Sequence, residues 1–130
     1  MQILREKKMS SFYEMLTKIK QRPSMYLGRR SLSHLQVFLD GYSLARREME
    51  VPITEEEREF EEFQEWIERR FDQPSTQSWD RIILFYSEDE REALDRFFEL
   101  FGEFVHRDKH GEVDAGAHRE DKIAKPQTVG

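Results

Sequence analysis

Apolar side chains recur every three or four residues along most of residues 11–105, and that spacing admits helices and little else. Phe12, Met15, Leu16 and Ile19 make one stripe, and Leu32, Leu35, Phe38, Leu39, Tyr42, Ala45 and Met49 make a second. Phe60, Phe63, Trp66, Ile67 and Phe71 form a third, and Leu94, Phe97, Phe98, Phe101, Phe104 and Val105 the last. The stripes are punctuated where helices should start and stop. Ser11–Glu14, Thr54–Glu57 and Ser87–Glu90 each spell a capping box, and the second helix begins at Ser31 or Ser33. Pro23 ends the first helix near Arg22, Val51-Pro52-Ile53 the second, and Gln73-Pro74-Ser75 the third. Between Ser78 and Tyr86, Trp79, Ile82, Ile83 and Tyr86 fit a helix, although Arg81–Tyr86 also reads as a strand. A lone strand has no partner here, so helix is preferred. The expected fold is all-α, a compact bundle of four or five helices.

Two local features carry further expectations. Pro23–Gly28 reads as a short extended or turn segment, with Met25, Tyr26 and Leu27 pinning it to the core and Gly28 at positive φ. Gly41 lies inside a helical stripe, where it costs about 1 kcal/mol relative to Ala. A neighbouring helix passing close by would account for it. Residues 1–9 are polar and expected to be loose, and residues 10–106 form the bundle. From Arg107 the periodicity stops, and five charges of each sign join Gly111, Gly116, Pro126 and Gly130. Such a stretch cannot offset its own ordering entropy, so residues 107–130 are expected to be a disordered tail.

With 130 residues the chain fits one domain. The absence of Cys excludes disulfides, thiolate zinc sites and cysteine nucleophiles. The longest apolar run, Ile82–Tyr86, is far shorter than the roughly 20 residues a membrane-spanning helix needs. No apolar signal region follows the N-terminus, so a soluble cytoplasmic protein is expected.

The net charge of −6 conceals an asymmetry. Residues 1–30 carry eight basic and two acidic side chains, residues 31–49 balance, and residues 50–72 set ten acids against three arginines. Spacing at 100° per residue turns Arg58, Glu61, Glu62, Glu65, Arg69 and Asp72 outward on the third helix, where Arg58–Glu62 and Glu65–Arg69 can pair. Glu57, Glu61, Glu62, Glu65, Glu68 and Asp72 are therefore the candidate docking residues for a basic protein; the plainer reading is a solvated helix face. Carboxylates used as acid and base need a cleft that desolvates them, which a solvated run does not offer.

Lys18, Lys20, Arg22, Arg29 and Arg30 could meet phosphates, which makes a nucleic-acid-associated regulator the alternative. They flank a turn without a recognition helix, and pairing with the acidic helix or solvation explains them as well. Met25, Tyr26 and Tyr42 could line a groove, against a purely structural reading of Met25-Tyr26-Leu27 as a plug. His106 and His110 have a helical metal spacing, but Gly111 suggests a frayed, solvated helix end. No nucleophile elbow, phosphate loop or Ser/His/Asp set is spelled out, so neither catalysis, a metal nor a cofactor is expected.

Lys18–Gly28 resembles the Arg-Pro-Gly-Met-Tyr-Ile-Gly element near the start of DNA gyrase B and related topoisomerase ATPase domains. Those domains follow it with a helix bearing a Glu and an Asp-Asn pair; Leu35–Tyr42 lacks that set, and no Asp-x-Gly-x-Gly or glycine-rich lid comes later. A broader match covers most of residues 11–105. Arg22-Pro23-x-Met25-Tyr26-Leu27-Gly28, the Ser-Leu-x-x-Leu-x-x-Phe-Leu-x-Gly-Tyr helix from Ser31 to Tyr42, and the Phe-x-x-Phe-x-x-Trp helix from Phe60 to Trp66 resemble a group of small bacterial proteins. That group is similar to immunity proteins of bacterial toxin systems. The resemblance implies a non-enzymatic protein that binds a cognate toxin, and it transfers no catalytic residues; apolar faces on all the helices leave room for a homodimer.

Overall fold

A computed structural model of the chain describes residues 11–72 and 76–107, which form seven helical segments and no strand. The N-terminal stretch, the Pro74 stop and the tail from residue 108 lie outside the described residues.

Helix α1 (Phe12–Gln21) begins at the expected box: the Ser11 hydroxyl accepts the Glu14 N–H, and Glu14 accepts the Ser11 N–H. Phe12, Leu16 and Ile19 point into the core. Pro23 then opens α2 (Pro23–Leu27) instead of an extended segment. Proline is pre-set for the first helical position, where no N–H is needed. The Arg22 carbonyl accepts the Met25 and Tyr26 N–H groups. Gly28 ends this turn at φ 86°, as its left-handed role required. Only Leu27 is buried; Met25 is 61% exposed, because one helical turn cannot aim three successive side chains at one surface.

Ser31 caps α3 (Leu32–Glu48) by accepting the His34 N–H. The His34 imidazole Nδ1–H donates to the Leu27 carbonyl at 3.0 Å, tying the start of α3 to the end of α2. Leu32, Leu35 and Leu39 are buried, whereas the second half of the helix leaves the core and Met49 is exposed. Termination comes from Glu50 at φ 57°, with the Glu50 and Val51 N–H groups closing on Arg47 and Arg46, one residue ahead of the expected breaker.

The third stripe is two helices, α4 (Glu55–Phe60) and α5 (Phe63–Arg70). Between them the Glu61 and Glu62 N–H groups bond three residues back, to Arg58 and Glu59. A three-residue turn eclipses side chains at i and i+3, and Phe60 and Phe63 are accordingly stacked at 5.3 Å. Helix α6 (Trp79–Phe85) is capped from outside: Gln64 of α5 accepts the Trp79 N–H at 2.8 Å and donates to the Gln77 carbonyl at 3.0 Å. The N-cap of α7 (Glu90–Val105) is Asp89, not Ser87, whose hydroxyl donates instead to the Ile83 carbonyl.

At the centre, fully buried Phe63 touches the rings of Phe60, Trp66, Trp79, Phe97, Phe101 and Phe104. Edge-to-face geometry dominates, which adds roughly 1 kcal/mol per pair beyond area burial. A second clamp joins the starts of α3 and α7: the Glu90 carboxylate accepts the Ser31 hydroxyl and the Ser33 N–H and hydroxyl. Burial alone would raise the Glu90 pKa, but these donors outweigh it and hold the carboxyl below its ordinary value.

Candidate partner-binding surface

The acidic run on α4 and α5 divides into three rows. The first is Glu57, at the N-terminal end of α4, where it closes the Thr54 capping box. Arg46 of α3 grips it at 2.6 Å and 2.9 Å through two guanidinium nitrogens, also reaches the Pro52 carbonyl, and lies over the Tyr42 ring. Burial pushes the Glu57 carboxyl up, yet the Thr54 N–H, Arg46 and the Thr54 hydroxyl together hold it below its ordinary value. With its side chain only 15% exposed, Glu57 is committed within the molecule.

Glu56, Glu59 and Glu62 form the second row, facing α1 and the end of α7. Glu56 accepts the Tyr13 N–H at 2.8 Å, and Glu59 accepts the Tyr13 hydroxyl at 2.5 Å. Arg107 bridges Glu59 at 3.2 Å and Glu62 at 2.8 Å, donates to the Phe104 carbonyl, and sits 4.0 Å from the Phe104 ring centroid. Burial, followed by the Glu59 carboxylate, drives the Tyr13 phenol well above its ordinary pKa. Arg107, expected as the first residue of the tail, instead locks α7 onto the α4–α5 junction.

Glu61, Glu65, Glu68 and Asp72 make the third group: Glu65 and Glu68 lie on α5, Glu61 in the turn before it, and Asp72, at φ 54°, just past its end. Glu61, Glu65 and Asp72 are exposed and Glu68 is half-exposed. Glu65 meets Arg69 at 3.9 Å with both side chains largely in water, a pair worth at most a few tenths of a kcal/mol. Glu68 accepts the Gln64 amide. Of the six candidate docking residues, then, Glu57 and Glu62 are taken by Arg46 and Arg107, and of the other four three are exposed and Glu68 is half-exposed. Glu62 finds Arg107 rather than the expected Arg58. The two arginines from outside the segment reduce its surplus from seven negative charges to five.

An aromatic patch lies at the end of α5. Phe71, next to Asp72, stacks on Tyr86 at 5.0 Å, and Phe85 packs edge-on against Tyr86. Phe85 is 75% exposed. The signal for it was present in the sequence: a helix burying Trp79, Ile82 and Ile83 must turn Phe85 outward.

Other candidates separate. Tyr42 packs on Phe12 at the start of α1, while Tyr26 lies in α2, beyond the end of α1. Phe12 opens a ten-residue helix of about 15 Å, and Met25 and Tyr26 follow its far end. In the basic cluster, Arg30 meets Asp95 of α7 at 3.7 Å, and the Arg22 guanidinium lies 4.0 Å from the Met25 sulfur. The cations that hold the acidic helix, Arg46 and Arg107, come from elsewhere. His106 bonds the Gly102 carbonyl at the end of α7, and His110 lies outside the described residues. Among the described residues no group of three His, Asp or Glu side chains is placed to hold a metal ion. No described helix is long and apolar enough to cross a membrane. No protein-family model, curated protein or solved structure matches the chain.

Proposed function

We propose that this chain is a non-enzymatic cytoplasmic binding protein, an immunity protein that neutralises a cognate bacterial toxin. Its basic partner docks on the open side of α5. The observation that carries this reading is the fate of the glutamates: Arg46 and Arg107 hold Glu57, Glu59 and Glu62, while Glu61, Glu65 and Asp72 stay exposed on a segment whose end, at Phe71, stacks on Tyr86 of the exposed Phe85–Tyr86 pair. Acidic residues around an exposed aromatic pair suit an interface in which charge accelerates encounter and aromatic anchors slow release. The resemblance of residues 11–105 to immunity proteins points the same way.

Co-expression with the product of the adjacent reading frame, followed by binding kinetics on the purified pair, tests the proposal. Glu61→Lys/Glu65→Lys should slow association by about tenfold or more and flatten its salt dependence. Phe85→Ala should chiefly speed dissociation. A complex indifferent to both changes would reject this surface, and failure to protect cells from the toxin would reject the role.

A further inference from the structure

Helix α3 carries a second apolar stripe that the bundle does not use. Opposite Leu32, Leu35 and Leu39, the positions 37, 41 and 44 bring Val37, Gly41 and Leu44 into one line. Val37 is 69% exposed and Leu44 49% exposed. The close neighbour expected for Gly41 is missing among the described residues: a Cβ built there would meet nothing within 4 Å. Gly41 is therefore a notch, between two aliphatic ridges, on the outside of a 17-residue helix.

We propose that this face binds a second copy of the same chain, with the two α3 helices antiparallel about a two-fold axis. The stripe is self-complementary in one register. Seating Leu44 of each copy in the Gly41 notch of the other brings Asp40 alongside Arg47 of the second copy, and symmetry makes both contacts twice. The same register lays Val37 along the aliphatic stem of Glu48. Asp40 receives the Gln36 amide on Oδ1 and keeps Oδ2 for a guanidinium, while the Arg47 side chain has no ion pair among the described residues. Charge favours a like copy here over one on the acidic segment. Residues 31–49 are neutral overall, whereas two chains of −6 meeting through α5 would repel.

Sedimentation equilibrium on the full chain across concentrations up to about 100 μM tests the proposal, because a contact of this size belongs in the micromolar range. A dimer is expected. Gly41→Leu fills the notch while raising helix propensity, so it should increase Tm yet weaken dimerisation by about tenfold or more. Asp40→Arg should also weaken the dimer, and adding Arg47→Asp should restore it. A chain that stays monomeric throughout would overturn the proposal. So would a dimer whose dissociation constant is unchanged by Gly41→Leu and Asp40→Arg. These readouts do not involve the α5 surface, so they stand or fall separately from toxin binding.

Discussion

Helices α4 and α5 are drawn from one glutamate-rich run, yet their carboxylates meet different surroundings. On α4 and the turn after it, Glu56, Glu57, Glu59 and Glu62 accept hydrogen bonds from Tyr13, Thr54, Arg46 and Arg107. On α5 and at its two ends, by contrast, Glu65, Glu61 and Asp72 are exposed, and Glu65 has only a long contact to Arg69. Charge along the chain is greater in the first half, where residues 55–62 carry six acids and one arginine against three acids and two arginines in residues 63–72, yet it is the first half that is neutralised from within. The difference lies in which half faces other helices, and it separates glutamates that contribute to folding from glutamates available to a partner.

The largest test strikes the residue that joins the halves. Phe63→Ala should cost about 3–5 kcal/mol in urea unfolding, since the ring is fully buried among six others and cannot be replaced by collapse. A loss below about 1 kcal/mol would mean the aromatic cluster is not the hinge of the fold.

Arg107→Ala against Arg69→Ala sharpens the comparison with one residue type. Arg107 should cost about 2 kcal/mol, because two carboxylates and a carbonyl lose a charged donor in a half-buried place. Arg69, paired in water, should cost less than about 0.5 kcal/mol. Equal losses would erase the distinction between the two rows.

Stability should also follow pH with definite signs. Glu57 and Glu90 are held below the ordinary carboxyl value of 4.5, so their stabilisation is fully present above it and is lost as pH falls through their lower folded values. Tyr13 is raised above the ordinary 10.0, so the folded state disfavours its ionised form and stability declines as pH climbs past 10. Urea midpoints should show the acid limb shrinking in Glu57→Gln and the alkaline limb shrinking in Tyr13→Phe.

The smallest effect is expected at Glu50, whose φ of 57° is unfavourable for a side-chain-bearing residue. Glu50→Gly should leave stability unchanged or raise it by up to about 1 kcal/mol. A clear loss would show that this carboxylate takes part in the anchored row next to it.

Much of the fold was legible because its causes are local. Ser11 and Thr54 act as the expected caps, and the Phe12–Ile19 and Leu94–Val105 stripes point inward as their spacing required. Errors arose where the outcome depended on something remote. Pro23 starts a helical turn that Gly28 ends, and the exposed end of α3 could not be told from its buried start by periodicity alone. Asp89 displaced Ser87 as a cap because the Ile83 carbonyl at the end of α6 offered Ser87 another partner. Within the candidate site the outward stripe of α5 was readable from helical geometry. The loss of Glu57 and Glu62 from it was not.

Helix positions, their caps and the aromatic character of the core follow from the chain alone, because a turn of helix is decided by residues three or four apart. Which carboxylates stand free is decided by residues far away in sequence. Arg46 lies 11 positions from Glu57, and Arg107 lies 48 from Glu59 and 45 from Glu62. Only packing α7 and α3 against α4 brings those guanidinium groups within hydrogen-bonding reach. Coulomb attraction and hydrogen bonding act over ångströms in space, whatever the separation along the chain, and the acidic surface was therefore settled by tertiary structure.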